Sequence, residues 1–95
     1  MPLTTTNFQI FKMITIYTKN NCPYCDRAKA LLESRNIKYE SVNIEQHPDA
    51  RQKLVDAGLR SVPQIYKDNE LIPGGFQGLS NLSLEEFAAK VGTTN

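Results

Sequence analysis

The sequence holds no tryptophan, one histidine and only two cysteines among its 95 residues. Two cysteines exclude the multi-bridge framework that staples small secreted folds. The lone histidine, His47, lacks the partner ligands that a closed zinc site of four nitrogen or sulfur donors requires, so no metal is expected. No stretch approaches the roughly 18 apolar residues of a membrane span. The first residues, MPLTTTNFQIFK, have neither a basic start nor an apolar run of signal-peptide length, which points to a cytoplasmic setting. Charge of one sign is lacking too: eleven Lys and Arg face ten Asp and Glu, a net charge of +1. That balance offers no attraction for nucleic acid or an anionic membrane surface. No repeat, linker or low-complexity block divides the chain.

What is present suits a single globular domain, expected as a monomer. Hydrophobic residues make up 40%, and a chain of this size buries just enough surface to fold without staples. Met13-Ile14-Thr15-Ile16-Tyr17 alternates apolar and β-branched residues as a strand does. Met13 is a plausible alternative start. Residues 1–12 then form an extension, although Phe8, Ile10 and Phe11 could prolong the first strand. The domain is read as residues 13–92, with 93–95 as a tail.

Lys19-Asn20-Asn21 ends the strand, and Pro23 suits the first position of a helix. Apolar spacing turns Cys25, Ala28, Leu31 and Leu32 inward on that helix, with Asp26, Arg27, Lys29 and Glu33 outward. A strand follows over Tyr39–Asn43, then a helix opened by His47-Pro48 and closed near Gly58. Gln64–Lys67 and Glu70–Ile72 flank Asp68-Asn69, a two-residue hairpin signal. The Pro73-Gly74-Gly75 bend leads to one last helix, where Ser83 and Glu86 have capping-box spacing and Gly92 supplies a stop. The order βαβ, α, ββα implies an α/β fold, a four-stranded mixed sheet flanked by helices in a thioredoxin-like layout.

Chemistry concentrates in Cys22-Pro23-Tyr24-Cys25. A thiol reacts as its thiolate, so a catalytic cysteine has to be acidified and reachable. Cys22 falls where strand meets helix, facing the free N–H groups and positive end of that helix. Pro23 has no N–H, which leaves Tyr24 and Cys25 as donors. An exposed charge such as Lys19 contributes about 0–1 kcal/mol, against up to ~2 kcal/mol for a partly buried helix end. The helix end therefore outranks Lys19 in holding a thiolate. Cys25, one turn on and turned inward, is placed to resolve a mixed disulfide formed at Cys22.

Tyr17-Thr18-Lys19-Asn20-Asn21-Cys22-Pro23-Tyr24-Cys25 with Arg27–Leu32, then Ser61-Val62-Pro63-Gln64-Ile65-Tyr66, then Gly74-Gly75-Phe76 resemble the dithiol glutaredoxins in order and spacing. The resemblance runs from about Met13 to the last helix. It implies a glutathione-dependent oxidoreductase acting on protein disulfides and glutathione mixed disulfides, ribonucleotide reductase being a family-level partner. Glutathione is then a co-substrate, and no cofactor is tightly bound. Lys19 would hold the glycine carboxylate and Tyr24 would line the groove. Val62, before a cis Pro63, would offer its peptide edge to the cysteinyl part, in the manner of an added strand. The Gly75 turn would let Phe76 and Gln77 present backbone N–H groups to the γ-glutamyl carboxylate. By the same resemblance Arg51 would be a second carboxylate contact, in a segment one residue shorter than usual before Pro63.

His47, Arg60, Tyr17, Tyr39 and Tyr66 read as surface, capping or packing residues. Pro73 looks inserted before the Gly-Gly turn, and Gln77-Gly78 stands where many relatives place an acid able to meet the glutathione ammonium. A neutral amide gives no charge pair there. Two alternatives stay open: a redoxin reduced by thioredoxin reductase that serves ribonucleotide reductase, suggested by Gly75-Phe76, and a non-enzymatic iron–sulfur module. Pro23 speaks against the second, since its cluster-binding relatives usually carry Gly at that position.

Overall fold

A computed structural model describes residues 14–91. The expectations for residues 1–12, Met13, the Gly92 stop and the 93–95 tail lie outside these residues. Alternating Ile14, Ile16 and Tyr17 build the central strand β1 (Ile14–Thr18). It is followed by α1 (Pro23–Ser34), β2 (Tyr39–Asn43), α2 (Pro48–Asp56), β3 (Gln64–Lys67), β4 (Glu70–Ile72), α3 (Gly75–Ser80) and α4 (Leu84–Lys90). The sheet order is β2-β1-β3-β4. β1 pairs in parallel with β2, Ile16 opposite Ser41, and antiparallel with β3, Ile16 opposite Ile65. The β3–β4 hairpin pairs Lys67 with Glu70 across the Asp68-Asn69 turn, in which Asp68 has φ 57°. The mixed sheet with helices is the thioredoxin-like layout expected from the sequence.

Each strand feeds two layers because successive side chains face opposite ways. Ile14, Ile16, Ile65 and Ile72 point to one face, where Ala28 and Leu32 of α1, Leu79 of α3 and Phe87 of α4 close the main core. Tyr17 and Tyr66 point to the other face, beneath Leu54 of α2, with their rings edge-to-face at 5.5 Å. The Lys53 ammonium lies 4.7 Å from the Tyr66 ring centroid and donates to the Tyr17 hydroxyl at 3.2 Å. These aromatic residues pack the sheet, as expected.

Helix ends set the geometry of the loops. Past α2, Gly58 (φ 78°) and Leu59 donate backbone N–H bonds to Val55 and Leu54 at 2.9 and 2.8 Å, a Schellman closure. That closure turns Leu59 back onto the second core. His47 occupies the N-cap of α2, but its side chain makes no capping bond.

One expectation is corrected. The single last helix is two, α3 and α4, separated by Asn81, Leu82 and Ser83. Ser83 accepts from the Glu86 N–H while the Glu86 carboxylate accepts from the Ser83 N–H, completing the capping box. An N-cap residue needs extended backbone, here φ −67° and ψ 169°, so a box at this point starts a helix and interrupts any helix running into it.

Candidate functional site

The strand-to-helix junction presents the cysteine pair. Asn21 takes a left-handed turn at φ 55°, and Cys22 follows with extended backbone as the N-cap of α1. Its sulfur takes the place of a capping hydroxyl and accepts the Cys25 N–H at 3.1 Å. The Tyr24 N–H makes no such bond, so a single backbone donor from the third helical position serves the sulfur, where two were expected. The physical reason is the ordinary reach of an N-cap side chain to the third helical residue. Cys22 and Cys25 are joined by a disulfide, with Cα atoms 5.2 Å apart. Cys22 is 9% exposed and Cys25 only 1%, so an incoming sulfur meets Cys22 first.

Across from the pair lies the Ser61–Pro63 turn. The Val62–Pro63 peptide bond is cis, and the Val62 carbonyl oxygen stands 3.9 Å from the Cys22 sulfur. Buried Gln64 steadies this turn by donating from Nε2 to the Ser61 carbonyl at 2.8 Å. On the near side, Asn43 donates to the Asn20 side chain at 2.9 Å, and the Glu45 carboxylate accepts the Asn20 N–H at 3.3 Å. The loop that carries Lys19 is therefore tied to the end of β2. Asn43 and Glu45 lie outside the segments that carry the resemblance, and the parallel β1–β2 pairing brings them to the loop.

Two adjoining pockets share Leu59, Ser61 and Val62. The first, of about 470 Å³, is lined by Tyr24, Val62, Pro63, Gly75, Phe76 and Gln77, along with Leu71, Pro73 and Gly74. Tyr24, 49% exposed, forms one wall, with the Arg27 guanidinium 5.1 Å from its ring centroid and the Phe76 ring 6.1 Å away. The second pocket, of about 420 Å³, gathers Lys19, Arg51 and Arg60 over Ile44 and Leu54. Every groove residue singled out in the sequence lines one pocket or the other. Arg60, read from the sequence as a surface charge, is exposed yet belongs to the cationic pocket. Its distance in sequence from Lys19 hid that.

The far wall is backbone packed on backbone. A Cβ on Gly75 (φ 59°) would lie 2.9 Å from the Pro63 carbonyl oxygen. A Cβ on Gly78 would lie 2.9 Å from the Pro73 carbonyl carbon and still closer to its oxygen. The Pro73 carbonyl thus lies where a side chain at position 78 would stand.

A cysteine pair at a helix N-terminus, facing a cis proline on a thioredoxin-like sheet, defines a thiol–disulfide oxidoreductase of the thioredoxin-like class. The glutaredoxin family model matches residues 14–72, and the chain belongs to the glutaredoxin family. It is 39% identical over 82 residues to glutaredoxin 1 of Rickettsia prowazekii, covering 83% of this chain and 85% of that protein. It is 36% identical over 62 residues to the glutaredoxin-like protein NrdH of Lactococcus lactis, covering 65% of this chain and 86% of the relative. Among solved structures, the NrdH-redoxin of Escherichia coli, a glutaredoxin-like protein with a thioredoxin-like activity profile, aligns with a TM-score of 0.64 at 32% identity, over 70% of this chain and 86% of that one. Among the described residues, no helix is long and apolar enough to cross a membrane.

Proposed function

We propose that this glutaredoxin-family protein reduces protein disulfides and glutathione mixed disulfides at the expense of glutathione. The observation that carries the reading is the placement of Cys22, capped by the Cys25 N–H and set against the carbonyl of Val62, a residue that lines both pockets of a groove with a cationic end.

The Cys22 thiolate attacks one sulfur of a substrate disulfide, and the other sulfur leaves as a thiolate that takes up a proton. Cys25, deprotonated, then attacks the Cys22 sulfur, forming the Cys22–Cys25 disulfide and releasing the second substrate thiol. Two electrons have passed to the substrate. One glutathione thiolate reopens the pair as a mixed disulfide on Cys22. A second attacks that disulfide, leaving oxidised glutathione and a reduced enzyme. For a glutathione mixed disulfide, the first attack and the last suffice, so Cys25 is dispensable.

Glutathione lies along the groove in this reading. Lys19 and Arg51 meet its glycine carboxylate, and the Val62 N–H and C=O pair with its cysteinyl unit. The backbone N–H groups of Phe76 and Gln77 receive the γ-glutamyl carboxylate. The co-location of these residues in two joined pockets supports the pose.

The NrdH relatives favour a second reading, reduction by thioredoxin reductase with ribonucleotide reductase as partner. Turnover of a small glutathione mixed disulfide by wild type, Cys22→Ser and Cys25→Ser separates the two. Loss in the first variant and retention in the second are expected. Equal loss in both, with reduction by NADPH and thioredoxin reductase but not by glutathione, would replace the first reading with the second.

A further inference from the structure

A single residue, Asn21, separates Cys22 from a clasp. The parallel pairing of β1 with β2 runs as far as the Ile44 N–H, which donates to the Thr18 carbonyl at 2.8 Å. Beyond Thr18 the chain leaves the sheet, and two residues at the end of β2 take hold of Asn20. Asn43 donates from Nδ2 to Asn20 Oδ1 at 2.9 Å, and the Glu45 carboxylate accepts the Asn20 backbone N–H at 3.3 Å. The two holding residues are themselves joined, because Asn43 Oδ1 accepts the Glu45 N–H at 2.8 Å. That bond uses the acceptor end of the Asn43 amide and leaves its donor end for Asn20. Asn20 is thus fixed through both its side chain and its peptide. Asn21 comes next, in the left-handed region at φ 55°, which asparagine reaches readily but which a free loop does not select. Cys22 follows with the extended backbone (φ −120°, ψ 96°) that carries its sulfur 3.1 Å from the Cys25 nitrogen.

We propose that Asn43 and Glu45 are positioning residues for Cys22, acting through Asn20 to hold the Asn21 turn and so to set the cysteine sulfur on the helix N–H that stabilises its thiolate. The proposal rests on the reading of Cys22 as the attacking thiol and extends it to two side chains that bond to Asn20 rather than to the sulfur. A hydrogen bond weakens steeply as its angle closes, so the thiolate is stabilised only while Cys22 stays aligned with the Cys25 N–H. A released Asn20 lets the Asn21 turn relax and Cys22 swing off that donor. Each clasp bond is exposed and contributes little to overall stability, so its loss falls on the sulfur and not on the fold. The charge of Glu45 works the other way, since a carboxylate disfavours a nearby thiolate. Loss of position and loss of charge therefore act with opposite signs.

The thiolate is read without glutathione, by the pH dependence of iodoacetamide alkylation in a Cys25→Ser background, where Cys22 is the only thiol. Replacing both Asn43 and Glu45 by Ala should raise the midpoint by about half to one pH unit. At a fixed pH below the midpoint that is a roughly threefold to tenfold slower reaction, since one unit is tenfold in thiolate. Glu45→Gln keeps an oxygen for the Asn20 N–H and should match the parent or fall slightly below it. Asn20→Ala, which severs only the Asn43 bond, should lie between the parent and the double variant. Urea unfolding of each variant is expected to stay close to that of the parent. An unshifted midpoint in the double variant overturns the proposal. So does an upward shift that Glu45→Gln reproduces in full, because that variant keeps the acceptor. Where the double variant is too unstable to read, Asn20→Ala decides alone, and no shift there overturns the proposal. Peptide mapping of the alkylated wild type separates the two failures: a protein that reacts first at Cys25 removes Cys22 as the attacking thiol, and the proposal with it.

Discussion

Replacing Gly78 with alanine puts a methyl group onto the Pro73 carbonyl. The added Cβ has the carbonyl carbon at 2.9 Å and the oxygen nearer still, inside the distances that real side chains keep. Both atoms belong to backbone, so Pro73 or α3 has to move. Overpacking of this kind costs about 1–3 kcal/mol, and an immovable neighbour puts it at the upper end. Displacing α3 also weakens the 2.9 Å bond from the Gly78 N–H to the Gly74 carbonyl, worth about 1 kcal/mol. Alanine returns up to ~1 kcal/mol in helix propensity. The net expectation is a loss of about 2–3 kcal/mol, which at ~4–8 °C per kcal/mol for a domain of this size lowers Tm by roughly 10–20 °C. Gly58→Ala is the control. Nothing lies within 4 Å of its Cβ, and φ +78° is the only obstacle, with an expected cost of about 1–2 kcal/mol. Urea unfolding with unchanged m-values reads both. A Gly78→Ala protein as stable as wild type, or more stable than Gly58→Ala, would refute the close packing of Gly78 on the Pro73 carbonyl.

Four further outcomes follow from named contacts. Lys19→Ala should raise KM for carboxylate-bearing mixed disulfides several-fold with little change in kcat, because exposed Lys19 lines the groove while the Cys25 N–H serves the sulfur; an equal fall in kcat, read by single-turnover kinetics, would contradict this. Ser83→Ala should cost about 1 kcal/mol in urea unfolding through loss of the N-cap. Its partner Glu86 is held below the usual carboxylate range, chiefly by the Ser83 backbone N–H. That stabilisation is present above the unfolded pKa and is lost as pH falls through the folded one, so Glu86→Ala and wild type should converge in acid. Burial, then the hydrogen bond to Glu33 and its charge, push the Tyr39 hydroxyl up to about 12. The proton is held more tightly when folded, so this contribution is intact below about pH 10 and disappears as pH rises toward the folded value. Spectrophotometric titration of wild type against Tyr39→Phe should reveal that late phenolate, and a phenol titrating at the ordinary value would count against it.

Much of the molecule is legible in order along the chain because the forces involved are local. Alternation in Ile14–Tyr17, proline at the first helical position, the Asp68-Asn69 turn and the Ser83/Glu86 box each act within a few residues, and each marks its element. The break between α3 and α4 was written in that same box, since a cap that starts one helix must interrupt another. Tyr24 and Phe76 could be named as groove residues through family resemblance, while the Arg27 guanidinium over the Tyr24 ring and the tilt of that ring toward Phe76 could not be read from spacing.

By itself, then, the sequence determined the strand and helix alphabet, the cysteine pair at a helix start and the family it resembles. Tertiary structure alone decided three things. It set the Val62 carbonyl against the Cys22 sulfur. It drew Lys19, Arg51 and Arg60 into one pocket. It placed the Pro73 carbonyl over Gly78. Such contacts depend on how strands pair and loops return. Charge and shape across a groove belong to no single stretch of chain, and only the folded sheet sums them.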